Sequence, residues 1–162
     1  MKTAFLALGS NVGDREANLR EAVNRLDSDE IRVVRRSSLY ETAPRELLDQ
    51  PLFLNAVLQV ETGLFPMQLL ARVREIERQM GRRRITPKGP RNIDIDILFY
   101  GRAVIAAAEL EVPHPRIAQR RFVLEPLAEI APDFRHPLTG KTAHEMLAVL
   151  EPQGVRRLEA TL

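Results

Sequence analysis

The chain has 162 residues, of which 44% are hydrophobic and 28% are charged, as in an ordinary globular domain. It contains no cysteine, which excludes a disulfide scaffold, a thiolate metal site and cysteine catalysis. No apolar run approaches the ~20 residues of a membrane span. We therefore expect one domain over residues 1–162, in the cytoplasm and without a membrane partner.

Positive charge is concentrated between residues 72 and 91, although the net charge of the whole chain is only +2. Most of the basic residues there are arginines, and the planar guanidinium binds phosphate through two hydrogen bonds. The pattern predicts an anionic partner, such as a nucleotide, a phosphorylated substrate or a nucleic acid. A solvated helix face is the alternative explanation for Arg72 to Arg78.

The first half of the chain predicts a strand, a helix and a second strand. Residues 2–8 are mostly apolar and are followed by a turn in which Asp14 is a suitable helix N-cap. Apolar residues then recur at helical spacing between positions 19 and 26. Residues 31–42 are rich in β-branched residues and predict a strand.

A strand, a helix and another strand are predicted next. Residues 53–60 alternate between two faces, and Pro66 occupies a suitable first position for a helix that ends at Gly81. Residues 93–100 alternate again and predict a further strand. The order strand-helix-strand-strand-helix-strand predicts an α/β (α+β) protein with a ferredoxin-like βαββαβ core.

Asp94 and Asp96 are the sharpest local feature of the sequence. Residues two apart on a strand share a face, with Cα atoms about 6.6 Å apart. Aspartate disfavours strands, so two of them on one strand indicate a binding role more than an exposed edge. Such a pair can bind Mg²⁺ together with substrate phosphates.

Positive side chains near this pair fit phosphoryl transfer, which needs cations around the moving phosphate. Arg82, Arg84 and Arg91 precede or enter the aspartate strand. His114 and Arg120 belong to later loops that can reach the same site, although a lone histidine is weak support.

A second group of residues can bind a flat heterocycle. Phe53 and Asn55 share one face of their strand and offer a stacking surface and an amide. Phe122 is a candidate for the opposite side of the ring. Ordinary packing is the alternative for each of these residues.

Together these motifs resemble the 6-hydroxymethyl-7,8-dihydropterin pyrophosphokinase family. The resemblance runs nearly from end to end. It rests on Ala7-Leu8-Gly9-Ser10-Asn11, Tyr40-Glu41-Thr42-Ala43-Pro44, Gln50-Pro51, Phe53-Leu54-Asn55-Ala56, Gly89-Pro90-Arg91-Asn92-Ile93-Asp94-Ile95-Asp96-Ile97-Leu98, Val112-Pro113-His114-Pro115-Arg116, Arg120-Arg121-Phe122-Val123-Leu124 and Pro126-Leu127-Ala128-Glu129-Ile130-Ala131-Pro132.

The resemblance implies transfer of pyrophosphate from ATP to the pterin hydroxymethyl group, with release of AMP. It implies a ferredoxin-like core with extra C-terminal strands and helices, and a monomer that binds no nucleic acid. It assigns two Mg²⁺ ions to Asp94 and Asp96, with Asp96 a candidate proton acceptor. Its other implied site residues are Arg82 and Arg91 for catalysis, Arg84, His114, Arg120 and the backbone at Ile97 and Leu98 for ATP, and Thr42, Pro44, Phe53, Asn55 and Phe122 for the pterin.

Two departures from the family pattern bear on the basic loop. Lys88 stands where many relatives have an aromatic residue, and the loop is about one residue shorter than in some of them. Glu109 stands where some relatives have a basic residue. We expect Lys88 and the shorter loop to affect stacking of the loop on the pterin and its closed geometry, rather than the class of reaction.

Two other functions remain open from the residues alone. One is a ferredoxin-like nucleic-acid-binding module, which would need exposed aromatic residues on the central strands. The first strand offers only Phe5 for this purpose. The other is a different Mg²⁺-dependent nucleotidyltransferase or glycosyltransferase, in which Asp-x-Asp also occurs.

Overall fold

A computed structural model describes residues 1–42, 51–82 and 90–162 of the chain. The described strands are β1 (Lys2–Ser10), β2 (Ile31–Arg36), β3 (Ser38–Thr42), β4 (Phe53–Thr62), β5 (Asp94–Tyr100), β6 (Ile105–Ala106), β7 (Glu111–Val112) and β8 (Val155–Thr161). The helices are α1 (Arg15–Leu26), α2 (Pro66–Gln79), α3 (Arg121–Ile130) and α4 (Ala143–Ala148). None of these helices is long and apolar enough to cross a bilayer.

The main sheet of the described chain has the order β5-β1-β4-β3-β8, and β2 also pairs with β4. Every pairing is antiparallel. This order confirms the predicted ferredoxin-like core. The strand predicted over residues 31–42 is divided at Ser37, whose hydroxyl accepts a hydrogen bond from the Val57 amide. The two halves therefore pair with different parts of β4.

Helices α1 and α2 cover one face of the sheet through an apolar core. Their buried residues follow the predicted helical spacing, from Leu19 to Leu26 in α1 and from Leu69 to Ile76 in α2. The Asp14 carboxylate accepts a hydrogen bond from the Ala17 amide, which confirms the predicted N-cap. Pro66 occupies the first turn of α2, as predicted.

The opposite face of the sheet is covered in part by the C-terminal elements α3 and α4. Phe5 and Phe99 are buried there, and both rings contact Phe134 at centroid distances of 4.8 and 4.7 Å. A capping box between Thr142 and Glu145 begins α4. These elements leave one end of the face open, where β1 ends and β4 and β5 begin.

Strand β5 does not keep the predicted alternation to its end. Ile97 lies opposite Leu6 and Phe99 lies opposite Phe5, so Leu98 is an extra residue and forms a bulge. Leu98 and Phe99 consequently both pack under α3, whereas Tyr100 joins the core under α1 and α2. The bulge leaves the orientation of the two aspartates unchanged because it lies beyond them in the strand.

Candidate active site

The open end of this sheet face forms a cleft with an empty volume of about 860 Å³, its solvent-exposed part included. Its floor comes from β1, β4 and β5, and its far wall comes from the start of α3. Most of the predicted site residues line it, namely Thr42, Phe53, Asn55, Arg91, Asp94, Asp96, His114, Arg120 and Phe122. Side chains that lie up to 80 positions apart, from Thr42 to Phe122, thus line one cleft.

Asp94 and Asp96 both face the cleft from β5. An Nη of Arg82 donates a hydrogen bond to Oδ1 of Asp94 at 3.0 Å, and Nε of Arg91 lies 3.6 Å from Oδ2. Asp96 lies deeper, and burial together with the charge of Asp94 raises its pKa to about 7. The two carboxylates therefore differ: Asp94 is paired with arginine, and Asp96 titrates near neutral pH.

These carboxylates fit a site for Mg²⁺ that is completed by substrate. No group of three or more His, Cys, Asp or Glu side chains gathers within the described ranges 1–42, 51–82 and 90–162. Mg²⁺ is commonly bound by one or two carboxylates together with substrate phosphates and water. The pair is therefore suited to a metal that arrives with a nucleotide.

Glu77 on α2 is a site residue that the sequence reasoning missed. It is 3% exposed, and its carboxylate accepts hydrogen bonds from the Ile95 amide at 2.8 Å and from Arg74 at 2.8 Å. Nε of Arg82 lies 3.8 Å from Oε2 of Glu77, the oxygen that also accepts from the Ile95 amide. Arg74 also donates to the Ile95 carbonyl at 3.1 Å. Glu77 and Arg74 thus form the hydrogen bonds to the Ile95 backbone that a neighbouring strand would otherwise form at the edge of β5. Ile95 lies between the two aspartates.

One sequence signal for Glu77 existed. Glu77 lies four residues after Val73 and next to Ile76, on the apolar stripe of its helix. Burial of a charged side chain there costs free energy unless the charge is paired. Arg74, three residues earlier, is the matching partner.

An arginine lies over each of the two predicted stacking residues. The guanidinium of Arg91 is 4.8 Å from the centre of the Phe53 ring, and that of Arg120 is 5.6 Å from the centre of Phe122. A flat ligand that stacks on either ring would share that ring with the cation or displace it. The two pairs therefore connect the aromatic part of the cleft to its positively charged part.

Asn55 and Thr42 present polar groups at the floor of the cleft. The Asn55 amide nitrogen donates to Oγ1 of Thr42 at 3.0 Å, which fixes the orientation of the amide. Asn55 is only 7% exposed, so its carbonyl oxygen is a directed acceptor. This arrangement can recognise the polar edge of a heterocycle.

Gly9 provides the space that Asn55 needs, and Gly9→Ala is expected to weaken heterocycle binding without unfolding the protein. A Cβ at position 9 would lie 3.2 Å from Oδ1 of Asn55 and 3.7 Å from the Phe53 ring. We expect the dissociation constant of the bound heterocycle to rise by about tenfold. Fluorescence titration checks this, and Gly63→Ala is the control because nothing lies within 4 Å of that position.

His114 is a neutral hydrogen-bond donor at the rim of the cleft. Its amide donates to the Leu98 carbonyl at 2.9 Å, and its Nδ1 accepts from the Arg116 amide at 3.3 Å. The second bond assigns the ring hydrogen to Nε2. Burial, followed by the charges of Arg120 and Arg116, lowers the pKa of His114 to about 4.

This low pKa predicts a pH dependence of stability. Between about pH 6.5 and pH 4 the unfolded chain binds a proton at His114 that the folded protein does not, so stability falls as the pH falls. His114→Gln is expected to flatten this part of the profile. Urea unfolding at several pH values measures the free energy of unfolding of both proteins. If this free energy changes with pH as steeply in His114→Gln as in the wild type, the assignment is wrong. His136 titrates in both proteins and cancels in the comparison.

Two predicted residues, Arg82 and Ile97, do not line the cleft, and two others lie outside the described residues. Arg82 is outside the cleft lining and donates a hydrogen bond to Asp94. The Ile97 side chain is buried in the core on the opposite face, so only its backbone remains a candidate for nucleotide contact. Arg84 and Pro44 lie outside the described residues.

Comparisons with known proteins agree with the chemistry of this cleft. Residues 5–132 match the family model described as 7,8-dihydro-6-hydroxymethylpterin-pyrophosphokinase. The 2-amino-4-hydroxy-6-hydroxymethyldihydropteridine pyrophosphokinase of Methylorubrum extorquens is 46% identical over 160 residues, which are 98% of this chain and 100% of that protein. The folic acid synthesis protein fol1 of Pneumocystis carinii is 45% identical over 139 residues, 86% of this chain and 19% of that protein.

The fold is shared with solved structures of a larger protein. The Plasmodium falciparum HPPK-DHPS structure with pteroate matches with a TM-score of 0.73 and 18% identity, over 91% of this chain and 42% of that one. This chain therefore spans about a fifth of the length of the fungal relative and less than half of the Plasmodium protein.

Proposed function

This chain belongs to the 7,8-dihydro-6-hydroxymethylpterin-pyrophosphokinase family, and we propose that it acts as such an enzyme in folate biosynthesis. The proposed reaction transfers the pyrophosphoryl group of ATP to the hydroxymethyl group of 6-hydroxymethyl-7,8-dihydropterin and releases AMP. The observation that carries the proposal is the single cleft that joins an aspartate pair, arginines and a neutral histidine to a heterocycle pocket.

The pterin is proposed to lie between Phe53 and Phe122, two phenylalanines that line the cleft. Stacking binds the ring faces, and the Asn55–Thr42 pair binds the polar edge through directed hydrogen bonds. This orientation would hold the hydroxymethyl oxygen in line with the β-phosphorus of ATP. Pro44 would add to the same pocket, by the family resemblance.

The nucleotide is proposed to lie on the charged side of the cleft, with Asp94 and Asp96 holding two Mg²⁺ ions. Bound Mg²⁺ would neutralise phosphate oxygens and favour deprotonation of the attacking hydroxyl. The Nε2–H of His114 and the guanidinium of Arg120 are donors for the triphosphate. A carboxylate oxygen of Asp96 is the candidate acceptor for the hydroxyl proton, since Asp96 faces the cleft beside the proposed metal site.

Arg82 and Arg91 are proposed to stabilise the negative charge that develops on the phosphates during transfer. Both guanidinium groups lie at the Asp94 carboxylate in this structure. A metal ion bound to Asp94 would compete with them, so they would become available to phosphate oxygens. Closure of the 82–91 segment with Arg84 would then exclude water from the phosphates.

Arg91→Ala is expected to slow turnover by about a hundredfold or more while weakening pterin binding much less. The reason is that Arg91 supplies charge at the phosphates, whereas the pterin is bound mainly by stacking and by Asn55. Single-turnover rates beside pterin titrations check this. An unchanged rate would remove Arg91 from the mechanism.

The nucleic-acid-binding alternative is disfavoured by the sheet face on which it depends. Phe5 is 2% exposed and Phe99 is 1% exposed, because α3 and Phe134 cover them. RNA-binding domains of this fold stack bases on exposed aromatic residues at such positions. A nucleotidyltransferase or glycosyltransferase would not need the Phe53, Asn55 and Phe122 pocket.

The test of the proposed function is chromatography of ATP, Mg²⁺ and 6-hydroxymethyl-7,8-dihydropterin incubated with the protein. Pterin-dependent AMP supports the proposal. ADP would contradict it, since transfer would then occur at the γ-phosphorus. No turnover by folded protein that still binds ATP would contradict the pterin as acceptor. Gel filtration tests our further proposal that residues 1–162 act as one monomeric domain.

A further inference from the structure

Glu129, near the end of α3, joins this helix to β3 through an unusually complete set of hydrogen bonds. Its carboxylate accepts from the Ser38 amide at 2.9 Å, the Ser38 hydroxyl at 2.8 Å and the Tyr40 hydroxyl at 2.8 Å. Arg157 of β8 adds a fourth donor at 3.1 Å. Tyr40 and Glu129, which belong to two different sequence motifs, therefore meet at a contact outside the cleft lining.

The contact lies at one end of two elements whose other ends form the cleft. Phe122 and Glu129 are seven residues apart, so they share a face of α3 and are about 10 Å apart along its axis. Ser38, Tyr40 and Thr42 share a face of β3, and Ser38 and Thr42 are about 13 Å apart. Fixing the helix to the strand at Glu129 therefore sets the distance between Phe122 and Thr42.

A neighbouring contact, made by Arg35 of β2, also holds this end of α3 against the sheet. Nη1 of Arg35 donates to the Ile130 carbonyl at 2.7 Å, at the negative end of the helix dipole. The Tyr40 hydroxyl is enclosed at the contact, and burial, followed by its hydrogen bond to Glu129, raises the pKa of Tyr40. The Tyr40 hydroxyl thus remains a neutral donor to the Glu129 carboxylate throughout the usual pH range.

We propose that Glu129 is a positioning residue for the pterin pocket. It sets the register of α3 along β3, and through that register it places Phe122 opposite Thr42 and Asn55. It touches neither substrate, and its effect is transmitted by the rigid helix. The inference rests on the proposed function, because it assigns the pocket to the pterin.

The experiment measures pterin affinity by fluorescence titration, and the KM for ATP, in Glu129→Gln and Tyr40→Phe variants. The amide of glutamine cannot accept from four donors, so α3 loses its register. We expect the pterin dissociation constant to rise by about tenfold in Glu129→Gln and less in Tyr40→Phe. The double variant is expected to add little to Glu129→Gln, since both changes break one contact.

Thr142→Ala is the matched control, because it removes the α4 capping box and lowers stability without touching the Glu129 contact. It is expected to leave pterin affinity unchanged. Pterin affinity that stays at the wild-type value in Glu129→Gln and Tyr40→Phe would overturn the inference and leave Glu129 a stabilising residue only. If Glu129→Gln does not fold, Tyr40→Phe alone decides. Wild-type protein that binds no pterin would instead contradict the proposed function.

Discussion

Replacing Asp96 with asparagine is expected to lower pyrophosphoryl transfer by about a thousandfold or more, while making the ligand-free protein more stable. The variant keeps the size of the side chain and removes the charge needed to bind metal and to accept a proton. The same charge weakens the ligand-free fold, because burial and the neighbouring Asp94 raise the pKa of Asp96 to about 7.

The stability gain has a definite pH dependence. A carboxyl group whose folded pKa lies above its unfolded value weakens the fold increasingly as the pH rises from the unfolded pKa to the folded pKa, and by a constant amount above that. The variant should therefore gain a few degrees in Tm at pH 8, and the gain should vanish as the pH falls towards 4. Thermal unfolding without Mg²⁺ measures this, and Asp133→Asn on the exposed surface is the control.

Two results would contradict this assignment of Asp96. Full turnover by Asp96→Asn would show that the carboxylate is not needed for metal binding or proton transfer. A loss of stability at pH 8 would show that the ionised carboxylate has a favourable partner in the folded protein.

Replacing Glu77 with glutamine is expected to destabilise the protein by about 2–3 kcal/mol and to reduce activity as well. The Arg82 side chain is 10% exposed and would lose its nearest compensating charge besides Asp94. The Ile95 amide would keep at best one weaker acceptor. Because this amide lies between Asp94 and Asp96, a looser edge of β5 would also misplace both carboxylates.

Glu75→Gln on the same helix is the matched control for Glu77→Gln. The Glu75 side chain is 38% exposed and pairs with Arg78 on the outer side of α2, and removal of such a surface pair is expected to change stability far less than Glu77→Gln does. Urea unfolding and steady-state turnover of both variants check the prediction. Equal, small effects at the two positions would show that Glu77 does not support the aspartate strand.

The features that the sequence determined by itself depend on local spacing. Alternation over residues 53–60 predicts that Phe53 and Asn55 share a face, and the two-residue spacing does the same for Asp94 and Asp96. The caps at Asp14 and Thr142 are bonds between residues three apart. Such features follow from backbone geometry alone, so they could be predicted before any tertiary contact was known.

The tertiary structure decided how distant residues meet. The Leu98 bulge arises from the pairing of β5 with β1. The Glu77 carboxylate accepts from the Ile95 amide only because α2 packs against β5. Glu129 and Ser38 are 91 residues apart in the chain. No local pattern specifies these contacts, since each depends on the packing of whole elements. The sequence by itself therefore determined which chemical groups the cleft contains, and the packing of α2 and α3 on the sheet determined how they are held.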